Sequence, residues 1–179
     1  MVEGDTIKSI HLGDVIERLP ALEPHWLASI AHATAVCLDD QDHQSGVQIA
    51  IVSDFKGTFE FHWDAITEQM RRTWEDEQYA TEHGAYCLAF LLIMELTGLS
   101  VIERSRKGPG FDYWLGEPSD LPFQNKARLE VSGIRNGTRG QINQRVREKM
   151  EQVSPSDGTY PAIIVVIEFS RPEAQVHQP

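Results

Sequence analysis

Three acidic side chains stand where a folded core should not want them. Asp112 lies inside KGPGFDYWLG, flanked by Phe111 and Tyr113. Glu130 lies inside ARLEVSGI, between Leu129 and Val131, and Glu82 precedes the apolar stretch Ala85–Met94. A carboxylate with apolar neighbours must face solvent or find a partner. Strand alternation puts Asp112 on one face, with Phe111 and Tyr113 on the other, and groups Glu130 with Arg128 and Ser132. If the two segments are adjacent strands, both carboxylates converge at one sheet edge. Converging carboxylates repel unless a cation lies between them. Hard divalent cations, Mg²⁺ or Mn²⁺, are held by one or two carboxylates with waters and phosphate oxygens. Such an ion polarises a phosphodiester and activates water.

Each residue also has a plainer reading. Asp112 can accept backbone hydrogen bonds beside the Pro109-Gly110 turn, and Glu130 can pair with Arg128 or Arg104. Glu82 can be an exposed residue near a helix start, favoured by the helix dipole. Other chemistries find less support. The seven histidines show no HExxH spacing, and His25 and His32 are seven apart on one helical stretch. The serines lack a G-x-S-x-G elbow, and the glycines lack a phosphate-binding pattern, which argues against a serine hydrolase, a P-loop or a Rossmann site. The two cysteines, Cys37 and Cys87, sit in apolar contexts and read as buried reduced thiols.

The elements that must position these residues follow from periodicity. Ile10–Leu19 reads as a short helix closed by Pro20, and Pro24 opens a second helix. Val47–Val52 and Thr58–Trp63 read as strands of a hairpin across SDFKG. Asp64 caps a long helical stretch ending at Gly98, with Gly84 as a break and an apolar second part sandwiched inside the protein. Leu99–Arg104, Phe111–Leu115 and Arg128–Ile134 read as three strands. Gln141–Val153 is a helix with the stripe Ile142, Val146, Met150 and Val153. Ala162–Phe169 is a continuous β-branched run, as in a strand buried on both faces. Pro172 ends regular structure and leaves a loose tail. The reading is a single α/β domain over 1–179, with an N-terminal α+β elaboration (1–79) on a core at 80–170.

The order helix with Glu82, strand, strand with Asp112, strand with Glu130, helix, strand resembles the PD-(D/E)XK nuclease superfamily. This is the restriction-endonuclease-like fold, a mixed sheet flanked by helices, and the resemblance covers residues 80–170, about half of the chain. It implies a Mg²⁺- or Mn²⁺-dependent DNA endonuclease with Asp112 and Glu130 as metal ligands. Glu82 matches the helix glutamate of the Holliday-junction resolvase type. Glu130-Val131-Ser132 matches the (D/E)XK tripeptide, with Ser132 where the family usually has lysine. Serine cannot supply a positive charge. Lys107 is the nearest replacement and Lys126 the next. The alternative implied by Ser132 is a catalytically silent relative, a binding or regulatory subunit in a defence or toxin-associated complex.

Charge is divided along the chain. Residues 1–100 carry 5 basic and 17 acidic side chains, and residues 101–179 carry 11 and 10. The acidic half repels nucleic acid and suits a protein partner, so DNA contact is confined to a local basic face. Arg135, Arg139, Arg145 and Lys149 are the expected contacts. The start, MVEGDTIKSI, lacks a basic and apolar leader, and Ala85–Met94 is too short to cross a bilayer. These features predict a cytoplasmic chain without membrane attachment, free to form an oligomer.

Overall fold

The computed structural model describes residues 7–154, 158 and 160–179. It is an α/β protein with one eight-stranded mixed sheet flanked by helices. The strands are β1 (Lys8–His11), β2 (Val47–Ser53), β3 (Gly57–His62), β4 (Ser100–Arg104), β5 (Tyr113–Gly116), β6 (Ala127–Ile134), β7 (Ala162–Glu168) and β8 (Glu173–His177). Their order is β1-β3-β2-β8-β7-β6-β5-β4. The helices are α1 (Val15–Arg18), α2 (Pro24–Asp39), α3 (Glu68–Thr73), α4 (Glu77–Thr97) and α5 (Arg139–Val153).

The expected strands are neighbours. β4, β5 and β6 form an antiparallel meander, and β6 pairs parallel with β7 after the α5 crossover. The run AIIVVIE of β7 is buried at every position, because helices cover both faces of the sheet there. On one face Leu129, Val131, Ile163, Val165 and Ile167 join the core beneath α2 and α4. On the other, Ile164 and Val166 pack with Val146 and Val153 of α5. The second part of α4 is apolar all round because it is buried over Gly84–Ile93. Cys37 and Cys87 are free and buried, and burial pushes both thiols up to about 12.

Several boundaries differ from the sequence reading. The stretch after Asp64 is two helices: Thr67 caps α3 and Asp76 caps α4. Gly84 does not break α4. It lets the helix approach α2, where a Cβ would lie 3.2 Å from the Thr34 backbone. Ile10–Leu19 is not one helix; Lys8–His11 pairs parallel with β3, and only Val15–Arg18 is α-helical. The segment after Pro172 is not a loose tail. Glu173–His177 enters the sheet between β2 and β7 and is paired on both edges. The hairpin of β2 and β3 forms as expected. Through β8 the strands of the first half continue the sheet of the second.

Candidate functional site

β5 is short, and β6 runs on past it. β5 pairs with Ala127–Leu129, whereas β6 extends to Ile134. The chain leaves the ladder at Gly110, whose φ of 80° is available to glycine without strain. Asp112 sits at that departure. Its N–H donates to the Leu129 carbonyl, and its Oδ2 accepts from the Val131 N–H at 2.9 Å. The carboxylate therefore caps an edge donor of β6 that β5 no longer reaches. The irregular entry also separates Phe111 from Tyr113. Phe111 packs under α5, and Tyr113 packs against Trp26, Tyr86 and Phe90 on the opposite face. The expectation that both share a face fails, because regular alternation begins only at Tyr113.

α5 runs antiparallel over β6 and stitches to it at three levels. Arg145 donates to Ser132 Oγ at 2.7 Å, Lys149 to Glu130 Oε1 at 2.5 Å, and the Arg128 guanidinium to the Val153 carbonyl at 3.0 Å. The repeat fits: four helical residues rise about 6 Å, and two strand residues about 6.6 Å. Arg128, Glu130 and Ser132 thus share the α5 face, as alternation requires.

Glu130 is 1% exposed, and its Oε1 also accepts from the Gln152 side chain at 3.0 Å. Its Oε2 is buried and has no hydrogen-bond partner. Asp112 and Glu130 are close enough that each shifts the other's carboxyl. Burial pushes the Glu130 carboxyl up to about 7, and Asp112 pushes the same way, while Lys149 opposes both. Burial also raises Asp112, against the Val131 N–H and Lys149. Two carboxyls this close hold one proton between them more easily than two charges.

A cleft of about 530 Å³ opens beside Asp112, and the buried Glu130 is not among its lining residues. Glu82, Tyr86, Asp112, Ser132, Arg145 and Lys149 line it, with Arg135 at one end. Glu82 is an exposed wall residue whose Oε1 lies 3.4 Å from the Tyr86 hydroxyl. Among the described residues no group of three His, Cys, Asp or Glu side chains is placed to hold a metal ion. Any cation here would therefore rest on Asp112 and Glu130 alone. Arg135 is tied to Asp40 at 2.6 Å, and Arg139 grips Glu173 through both of its terminal nitrogens at 2.5 and 3.0 Å. Arg139 does not line the cleft. Lys107 lies in an exposed turn that lines a different cleft, which Asp112 also lines. Lys126 lies in neither. A more apolar cleft of about 650 Å³, where His25 and His32 do share a side, has no lining residue in common with the first.

Sequence reasoning grouped Lys149 with the arginines of a basic rim. The structure turns it inward onto Glu130. The available signal was its spacing of four from Arg145, matched to the spacing of two between Ser132 and Glu130. Reading it required knowing that α5 crosses β6. The Tyr86 wall was not anticipated. No protein-family model, curated protein or solved structure matches this chain.

Proposed function

We propose that this protein is a divalent-cation-dependent phosphodiesterase acting on DNA, with a restriction-endonuclease-like core of α4, β4, β5, β6, α5 and β7. The observation that carries this reading is Asp112 on the cleft wall with the buried Glu130 carboxyl behind it and the Lys149 ammonium 2.5 Å from Glu130. The antiparallel meander followed by one parallel crossover supports it. So does the ammonium itself. The tripeptide ends in Ser132, but α5 delivers a cation to the same carboxylate.

The donor set suits a hard cation. Glu130 Oε2 is buried and unpartnered, and Asp112 spends only Oδ2 on the backbone. Two carboxylate oxygens, completed by waters and phosphate oxygens, are what Mg²⁺ or Mn²⁺ accepts. When bound, the ion supplies Lewis acidity toward the phosphodiester and toward water. The chain's own groups do the rest. Lys149 compensates charge at Glu130 and lies beside the position where negative charge develops on phosphate. Arg145 is held by Ser132 and presents its guanidinium to a phosphate oxygen. Glu82 and Tyr86 form the opposite wall and confine the substrate.

One feature favours the silent-relative reading. Lys149 already compensates Glu130 in the absence of any ion, so the fold does not require a metal. Calorimetric titration with Mn²⁺ and Mg²⁺, with bis(4-nitrophenyl) phosphate hydrolysis in parallel, separates the two. The phosphodiesterase predicts saturable metal binding and hydrolysis, both lost in Asp112→Asn. This variant keeps an acceptor for Val131 but loses the charge. Absence of binding and hydrolysis at millimolar Mn²⁺ would leave the silent relative.

A further inference from the structure

Two clefts meet at Asp112. The second, of about 560 Å³, shares Asp112 alone with the lining of the first. Its lining includes Arg104, Arg106, Lys107 and Gln152, and Asp112 is its one acidic residue. The Arg104 guanidinium donates to the Tyr113 hydroxyl at 2.9 Å and lies over the Tyr86 and Tyr113 rings, 5.9 and 5.3 Å from their centroids. That anchors the cationic segment to the wall of the first cleft. Arg106 and Lys107 are exposed, and among the described residues neither forms an ion pair. In contrast, Lys8, Arg18, Arg71, Arg135 and Arg139 all hold carboxylates. The base of the segment is fixed as well. A Cβ on Gly110 would lie 2.3 Å from the Gln152 carbonyl, so the turn packs directly on the end of α5. α5 is the helix that carries Arg145 and Lys149. The two cationic arms therefore hold a set position relative to each other, with Asp112 between them.

We infer that a polynucleotide strand threads both clefts and crosses the carboxylate pair. Arg104, Arg106 and Lys107 hold phosphates on one side of the scissile bond, and Arg145 and Lys149 hold them on the other. This rests on the phosphodiesterase reading and extends it. The strand continues in both directions from the reacting bond, so cleavage is internal. Lys107 then positions substrate, and Lys149 is the ammonium at the carboxylates. Arg106 and Lys107, which have no carboxylate partner among the described residues, suit phosphate because nothing within the protein must be released first; Arg145 and Lys149 keep their contacts to Glu148 and Glu130. Each contact contributes a counterion-release term that weakens with salt.

The test is DNA affinity in Ca²⁺ buffer, by fluorescence anisotropy of a labelled mixed-sequence duplex and of its single strand. Arg106→Glu is compared with Arg72→Glu, an equal change in net charge on exposed α3. Arg106→Glu should weaken binding about tenfold and lower the slope of log affinity against log salt by about 1. Arg72→Glu should leave both unchanged and should hydrolyse bis(4-nitrophenyl) phosphate at the native rate. Equal losses in the two variants would reduce the effect to net charge and overturn the strand path. Native affinity in Arg106→Glu would overturn it too, while persisting bis(4-nitrophenyl) phosphate hydrolysis would leave the phosphodiesterase standing. No DNA binding by the unaltered protein also overturns it. The phosphodiesterase falls with it only if Mn²⁺-supported hydrolysis of the small substrate is absent as well.

Discussion

Glu130→Gln isolates the electrostatic cost of the site. The native carboxyl is pushed from its ordinary 4.5 up to about 7, first by burial and next by Asp112. A folded value above the unfolded one means that the native state holds the proton more tightly. The stability this group contributes is therefore complete below about pH 4.5 and is lost as pH rises through about 7. The interval corresponds to about 3 kcal/mol at about 1.4 kcal/mol per tenfold change. Glutamine keeps a carbonyl oxygen for Lys149 and Gln152 and cannot ionise. Other titrating groups are common to both proteins and largely cancel in the difference between them. Urea unfolding followed by tryptophan fluorescence should thus show the variant gaining on the native protein by about 3 kcal/mol between about pH 5 and pH 8. Mg²⁺ at ten times its Kd should return about 1.4 kcal/mol to the native protein and nothing comparable to the variant. A difference constant within about 0.5 kcal/mol over that range would refute the assignment of Glu130 as the strained group.

Three further outcomes follow from the same contacts. Lys149→Met removes the ammonium from Glu130 Oε1 and should cost about 2 kcal/mol near pH 8 but much less near pH 5, where Glu130 is protonated; denaturant midpoints at the two pH values check this. Glu168→Ala takes the buried acceptor from the N–H groups of Gly137, Ser170 and Arg171, which lie 3.3, 3.2 and 2.7 Å from it. Calorimetric melting should show a loss of about 3 kcal/mol or more, since each stranded donor costs about 1–3 kcal/mol. Gly133→Ala puts a Cβ 2.5 Å from the Thr81 carbonyl and presses α4 off β6. Thermal unfolding should show about 1–3 kcal/mol of overpacking loss.

Much of the fold was legible in the sequence because it is local. The β-branched run of β7, the stripe of α5 and the proline opening α2 depend on neighbours within a few residues, and each lies close to where periodicity puts it. The approach of Asp112 and Glu130 follows from strand order rather than alternation: β5 and β6 are adjacent, and Asp112 immediately precedes β5. The less legible elements are those whose stability comes from elsewhere. EAQVH has no apolar run and follows a proline, yet it becomes β8 because β2 and β7 present complementary edges on both sides. Lys8–His11 is a strand only because β3 is there to pair with it. Asp64 reads as the cap of one long helix, but the stretch divides, with Thr67 capping α3 and Asp76 capping α4.

The sequence by itself determined which carboxylates are out of place, six of the eight strands, and that positive charge belongs to the second half. Tertiary structure decided which cation meets which anion. Arg135 and Arg139 are taken by Asp40 and Glu173, which lie 95 and 34 residues away, while Lys149 turns onto Glu130. The physical reason is that an ion pair depends on a few ångströms between side-chain tips. That distance is set by the crossing of α5 over β6 and by the edges that β8 joins, and no local pattern encodes it.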